Sequence, residues 1–300
     1  MGITFPSPER LATYILDEER PRRLATCSPL PVADVFRYGG MIGSTIHAYS
    51  SLPRCMDQAR ELILEYSLKK QSLPSGTMLF AESLTGSKGR FKRVWHAPDG
   101  GLWCVLALFN QWSREVANLL PLAAGLAVCE TVRQAGVSAE IKWVNDIHCK
   151  GLKLAGLLAE THVCKVSGEE YVLLGIGLNV NNNVFPADLQ PLATSMSTEA
   201  GGDFDLGTIG LDLLAKLRWN IGLLTYIDEG NGSRALFMDR YRTRCDSIGQ
   251  RVRFGFDVQQ APQYEALVTG ILDDGGLVLH HLDDDVELVE HGGEMEYVSQ

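Results

Sequence analysis

The sequence predicts an α+β chain, a mixed β-sheet with helices packed on one side, followed by a small C-terminal β-barrel. Three observations predict it. Between Ile42 and about Tyr226, segments with apolar residues three or four apart are interleaved with short runs rich in aliphatic and aromatic residues. Beyond residue 245 the helical spacing gives way to short alternating runs cut by acidic turns. The composition, 45% hydrophobic and 21% charged over 300 residues, suits a soluble globular chain with material for one large domain and one small one. The boundaries follow as an N-terminal extension over 1–36, a main domain over 37–245 and a C-terminal domain over 246–300.

Residues 1–36 mix prolines with the charged run Glu18-Glu19-Arg20-Pro21-Arg22-Arg23 and fit a short helix with an irregular lead-in, either packed on the main domain or a mobile arm. Residues 56–70 read as a helix with Ala59, Leu62, Ile63 and Tyr66 on one face, and 77–81 as a strand. The run 101–109 is almost continuously apolar, a strand buried on both faces. Pro121 opens a helix carrying Leu122, Leu126, Cys129 and Val132, closed near Gly136. Strands follow at 140–143, 154–161 and 171–180. Leu211, Leu214, Leu217, Ile221 and Leu224 then mark a helix by their core spacing, and a further helix covers 233–242. The C-terminal strands are 249–254, 265–271, 276–279 and 286–289, parted by Asp273-Asp274-Gly275 and Asp283-Asp284-Asp285.

The formal net charge of -10 argues against general nucleic-acid binding, which needs a basic footprint. A basic loop within an acidic chain points instead to a local anion site. Seven scattered cysteines without a C-x-x-C pair read as reduced core thiols. The N-terminus has prolines and charges where a secretory segment needs apolar residues, and no uncharged apolar stretch reaches spanning length, so a cytoplasmic location and no membrane association are expected.

Chemistry gathers in three places. Ile141-Lys142-Trp143-Val144-Asn145-Asp146, followed by Lys153-Leu154-Ala155-Gly156, puts an amide, a carboxylate and an ammonium at the mouth of a β-hairpin. That trio suits a polyanionic ligand, and a polar hairpin tip is the plainer alternative. Residues 81–98 form a glycine-punctuated basic loop with Lys88, Gly89, Arg90, Lys92, Arg93 and Trp95, a cationic flap or else a solvated turn. Gly175 and Gly177 end another strand just before Asn179, and without Cβ atoms they let the backbone approach a ring. Asn145 and Asn179 are candidates to read adenine, or turn residues; Asp146 is a candidate magnesium ligand, proton acceptor or cap.

In this order the segments resemble the catalytic domain of the biotin protein ligases. Lys142 to Asp146 is similar to that family's Lys-Trp-Pro-Asn-Asp, with Val144 in place of proline, and Lys153 to Leu158 to its Lys-Leu-Ala-Gly-Ile-Leu. Gly175, Gly177 and Asn179 match Gly-x-Gly-x-Asn, Thr194-Ser195-Met196 resembles Thr-Ser-Leu, and Ser44-Thr45 resembles an upstream Ser-Thr. In the basic loop Glu82, Gly89, Arg90, Arg93 and Trp95 match Glu-x-Gln-x-x-Gly-Arg-Gly-Arg-x-Gly-Arg-x-Trp, while Leu84, Ser87, Lys88 and Lys92 replace a glutamine, a glycine, an arginine and a glycine. Charge is kept, and one amide that would help read a ureido ring is lost.

The resemblance implies a class II synthetase-like catalytic domain with an SH3-like C-terminal barrel. It implies a ligase that uses ATP and Mg2+ to make biotinyl-5′-AMP from biotin and transfers the acyl group to a lysine of a biotin carboxyl carrier domain. Arg90, Lys153 and Asp146 are then the expected catalytic residues. Ser44, Thr45, Leu84, Lys88, Gly89, Gly175 and Gly177 are expected around biotin, and Arg90, Arg93, Trp95, Asn145 and Asn179 around the nucleotide, with Asp146 the candidate magnesium ligand. Residues 1–36 are too short for a helix-turn-helix domain, which implies a monofunctional enzyme; a homodimer is compatible with it. Two alternatives stay open: a family member that activates another carboxylic acid, motivated by Leu84, and a non-catalytic binder of biotin or an acyl-adenylate. Clustered like charges lead us to expect a loop that stays mobile until an anion gathers it.

Overall fold

An unbroken apolar strand must be covered on both faces, and the fold supplies both covers. The structure, a computed structural model, describes residues 5–27 and 30–298, the side chain of Lys92 excepted. Strands β1 (Ile46–Leu52), β2 (Thr77–Leu84), β3 (Leu102–Phe109), β4 (Glu140–Lys142), β5 (Asp146–Cys149), β6 (Leu152–Val163) and β7 (Glu170–Leu178) form one mixed sheet. Its order is β1-β2-β3-β7-β6-β5-β4; β1 and β2 pair parallel, the other neighbours antiparallel.

One face carries the main core. Helices α1 (Pro8–Tyr14), α2 (Arg20–Thr26) and α3 (Val32–Tyr38) precede β1, and α4 (Cys55–Leu68) joins β1 to β2. Later come α5 (Arg114–Ala117), α6 (Leu120–Gln134), α7 (Met196–Ala200), α8 (Leu206–Asp228) and α9 (Ala235–Arg242). Residues of α6 and α8 pack with Phe80, Leu106, Ile176 and Leu178 of the sheet. The stretch Arg114–Gln134 has the length and hydropathy of a membrane span, yet 72% of its apolar window is buried in this core.

The expectation of helices on one side is corrected by α4. Its buried positions Cys55, Met56, Ala59, Leu62 and Ile63 pack on Leu79, Ala81, Val105, Ala107, Tyr171 and Leu173, the opposite face. A strand such as Met78-Leu79-Phe80-Ala81, apolar at every position, leaves no face for solvent, and the parallel β1/β2 pair needs a crossover to cover it. β1 itself was not expected. As an edge strand it leaves Ala48, Ser50 and Ser51 exposed, so its apolar alternation is weak.

The described part of the N-terminal segment holds more helix than the single short one expected, and it packs on the main core rather than forming an arm. α1 and α2 run on through a π-turn at Ile15–Glu19, and Ser7 caps the start by accepting from the Arg10 amide. Leu11, Ile15, Val32 and Val35 enter the main core, and residue 36 falls inside α3. Beneath these helices lies a buried ionic network. Arg23 bonds Glu19 at 2.7 Å and Glu130 at 2.6 Å, Arg240 bonds Glu130 at 2.8 Å, and Lys216 bonds Asp212 at 2.6 Å. All seven cysteines are free thiols.

The C-terminal strands β8 (Arg251–Gly255), β9 (Tyr264–Ile271), β10 (Leu277–His281), β11 (Glu287–Glu290) and β12 (Glu294–Tyr297) form an antiparallel sheet ordered β11-β10-β9-β8-β12. Val252, Phe254, Val268, Leu279 and Met295 continue the main core, and Trp143 ties the two sheets by donating its indole N–H to the Gly275 carbonyl at 3.1 Å. β12 was not foreseen, although Glu-Met-Glu-Tyr alternates.

Candidate active site

α4 covers only part of its face. Along β7 the residues on that face are Tyr171 and Leu173, buried under the helix, then Gly175 and Gly177. A Cβ on Gly175 would stand 3.0 Å from the sulfur of Met56; one on Gly177 would stand 2.7 Å from Nε1 of Trp95, and one on Gly156 of β6 3.2 Å from the same indole. Gly156 and Gly177 thus let the Trp95 indole rest against backbone, and Gly175 makes room for Met56. Above them opens a cleft of about 650 Å³, walled by the β4–β6 region, the basic loop, residues 185–193 and residues 293–297. Gly177→Ala is expected to displace Trp95 and lower unfolding free energy by about 1–3 kcal/mol, read by urea titration with tryptophan fluorescence.

The charged groups stand on β4, β5 and β6. Lys153 Nζ lies 2.6 Å from Asp146 Oδ1 and 5.5 Å from the centre of the Trp95 ring. Burial pushes the Asp146 carboxyl up, but Lys153, with His148 and Lys142 behind it, outweighs burial and holds the pKa below the ordinary carboxylate value. Burial pulls Lys142 below the usual lysine range, and its ammonium sits 4.8 Å from the centre of the Tyr297 ring. Burial also brings His148 down to about 4, so the imidazole is neutral at physiological pH. The Trp143–Val144 peptide is cis. The hairpin tip is Lys150-Gly151, both at positive φ, so Asn145, Asp146 and Lys153 stand back from the tip rather than on it.

Of the residues expected around the ligands, Leu84, Lys88, Gly89, Arg90, Arg93, Trp95, Asn145, Asp146, Lys153, Gly175, Gly177 and Asn179 all line this cleft. Ser44 and Thr45 do not, and that expectation is corrected. They precede β1, whose far end pairs Leu52 with Leu84, so they lie about 20 Å from the cleft end of the strand. Arg54, Cys55 and Met56 line the cleft instead, because Pro53 ends β1 there and α4 begins. The signal available was the Leu-Pro break before a helical pattern.

The two asparagines are placed at the cleft wall with their amides largely spent. Asn145 Nδ2 donates to the Leu157 carbonyl at 2.6 Å. Asn179 is buried, donates to Thr194 O at 3.0 Å and accepts from Asn182 at 2.9 Å, while its carbonyl receives the Met196 amide. Thr194-Ser195-Met196 therefore closes the loop after β7, with Ser195 capping α7. The basic loop is likewise engaged. Arg90 donates to Gly293 O at 2.6 Å, and Arg93 pairs with Glu294 and Asp257. Both arginines thus have protein partners in this structure. Arg54, His148 and Tyr297 line the cleft and were not singled out from sequence, and Lys142, quoted there within its motif, was given no role. Among the described residues no three His, Cys, Asp or Glu side chains converge as a metal site.

The sequence profile of the biotin/lipoate A/B protein ligase family matches residues 52–181. A biotin--[acetyl-CoA-carboxylase] ligase of Paracoccus denitrificans is 31% identical over 215 residues, 68% of this chain and 84% of that protein. The bifunctional ligase/repressor of Bacillus subtilis is 37% identical over 144 residues, 47% of this chain; the chain thus spans under half of that relative, 44%. The biotin protein ligase of Aquifex aeolicus, solved in complex with biotin and ATP, superposes with a TM-score of 0.69 at 21% identity, over 85% of this chain and 99% of that one.

Proposed function

The chain belongs to the biotin/lipoate A/B protein ligase family, and from that premise we propose that it is an ATP-dependent biotin protein ligase, which forms biotinyl-5′-AMP and passes the acyl group to a lysine of a carrier domain. One observation carries the reading: Arg90, the Lys153–Asp146 pair and a glycine floor under Trp95 converge on a single cleft of about 650 Å³. That volume lies within the usual range for small-molecule sites.

In the first step the acid's carboxylate oxygen attacks the α-phosphorus of ATP and pyrophosphate leaves. Two anions must approach, and Lys153 and Arg90 supply the opposing charge from fixed positions. In the second step a lysine amine attacks the acyl carbon and AMP leaves. Asp146, held ionised, is the base to which the amine's proton passes. Magnesium would enter with the nucleotide phosphates, with Asp146 at most one of its ligands. We read the C-terminal sheet, in which the last strand β12 returns to pair with the first, β8, as the family's SH3-like barrel.

ATP–pyrophosphate exchange with biotin and a panel of other carboxylic acids tests this. Exchange stimulated by biotin alone supports the reading, and exchange with none of the acids overturns it. A second reading, activation of a different acid, is favoured by Leu84 at the cleft wall in place of an amide. On the biotin reading Leu84→Gln adds a hydrogen bond to a neutral head group and is expected to tighten biotin by about 0.5–1.5 kcal/mol, measured by calorimetry. Failure of both forms to bind biotin favours the other acid.

A further inference from the structure

The basic loop leaves the main sheet and grips the C-terminal one at three residues. Arg93 makes a two-pronged pair with Glu294, Nη1 to Oε1 and Nη2 to Oε2 each at 2.9 Å, and its Nη2 also donates to Asp257. Arg90 Nη1 donates to Gly293 O. Phe91, at φ 52°, meets Phe256 edge-on with ring centres 5.0 Å apart, and the guanidinium carbons of Arg90 and Arg93 lie 5.3 and 5.2 Å from the Phe91 ring centre. The loop closes on itself as well. The Gly89 amide donates to Arg93 O at 2.8 Å and the Trp95 amide to Ser87 O at 3.2 Å. Two residues beyond Arg93, Trp95 rests on Gly156 and Gly177.

Lys88, Arg90 and Arg93 bring like charges close together, and a non-glycine residue at positive φ is strained, so the closed loop needs an opposing attraction. The carboxylates supply it from a partly desolvated position, the Glu294 side chain being 14% exposed and that of Asp257 18%. A bidentate, charge-assisted pair in that setting is stronger than an exposed ion pair. From this geometry we infer that Arg93, Glu294 and Asp257 form a latch by which the C-terminal sheet holds the basic loop over the cleft. Glu294 and Asp257 are positioning residues, acting through Arg93 on Arg90 and Trp95. The latch is a property of the free chain; its catalytic consequence, retention of an acyl-adenylate, rests on the ligase reading.

Hydrogen exchange of the free 300-residue chain separates the two. In the parent the amides of Gly89, Arg93 and Trp95 should be protected, and in the double variant Glu294→Gln/Asp257→Asn they should exchange at least tenfold faster. Glu265→Gln, which breaks the exposed Arg251 pair on the same sheet, should leave them unchanged. Protection elsewhere in the C-terminal sheet should also persist in the double variant, which distinguishes an opened latch from a misfolded sheet. With biotin and ATP, the double variant should release its adenylate about tenfold faster and raise KM for ATP more than it lowers kcat. Parental exchange in the double variant overturns the latch. Fast loop exchange with parental adenylate retention and KM overturns the positioning role. If the parent forms no adenylate from any acid, the ligase reading falls and the exchange result alone decides the latch.

Discussion

Replacing Lys153 with alanine is expected to slow acyl-adenylate formation about a hundredfold, on the order of 3 kcal/mol of lost transition-state stabilisation. Lys153 is the second residue of the long strand β6 and its side chain is 34% exposed, so the fold should survive its truncation. Its removal also strips Asp146 of the group that offsets burial. The Asp146 pKa then rises, and the acid limb of the transfer step should move to higher pH. Pyrophosphate exchange measures the first effect, and the pH dependence of transfer from preformed adenylate measures the second. A parental exchange rate in Lys153→Ala removes this residue from the activation step.

The largest stability effect is expected beneath the N-terminal helices. Arg23→Ala leaves Glu19 and Glu130 without their shared buried cation and should lower unfolding free energy by about 3–5 kcal/mol. Burial pushes Glu130 up, but Arg23, Arg240 and Asn220 outweigh it and hold its pKa at about 2, against an ordinary value of 4.5. A depressed carboxylate pKa stabilises fully above the unfolded value and loses that contribution as pH falls through the folded one. The parent should therefore hold this stabilisation down to about pH 4.5 and lose it toward pH 2, with a shallower acid dependence in Arg23→Ala. Urea titrations across that range read both. An unchanged midpoint in Arg23→Ala at neutral pH would mean that the network is already hydrated.

How much could be read in advance follows from where the information sits. Helix α4 buries one face at helical spacing, and α6 and α8, buried almost all round, are long apolar runs whose leucines recur at such spacing, so all three are located by their pattern. β1 and β12 are edge strands, and half-exposed edges blur the alternation that marks a strand. Gly-x-Gly, Lys153 and Asp146 were legible because each combines unusual chemistry with a fixed strand position. Ser44-Thr45 misled because small hydroxyl pairs are common and nothing local states which end of a strand faces the cleft. The carboxylates that meet Arg93 come from residues 257 and 294, a separation no local pattern records.

β7 gives its one face two duties in succession, packing at Tyr171 and Leu173 and openness at Gly175 and Gly177. Sliding β7 by one residue would exchange its faces altogether. Sliding it by two keeps the faces but fails either way: leucine would be driven against Met56, or glycine would leave a void beneath α4. The same alignment that fills the interior therefore clears the floor of the cleft. A chain that has passed the thermodynamic check on its core has, in that act, been proofread for its binding surface, and a well-packed but obstructed molecule has no register available to it.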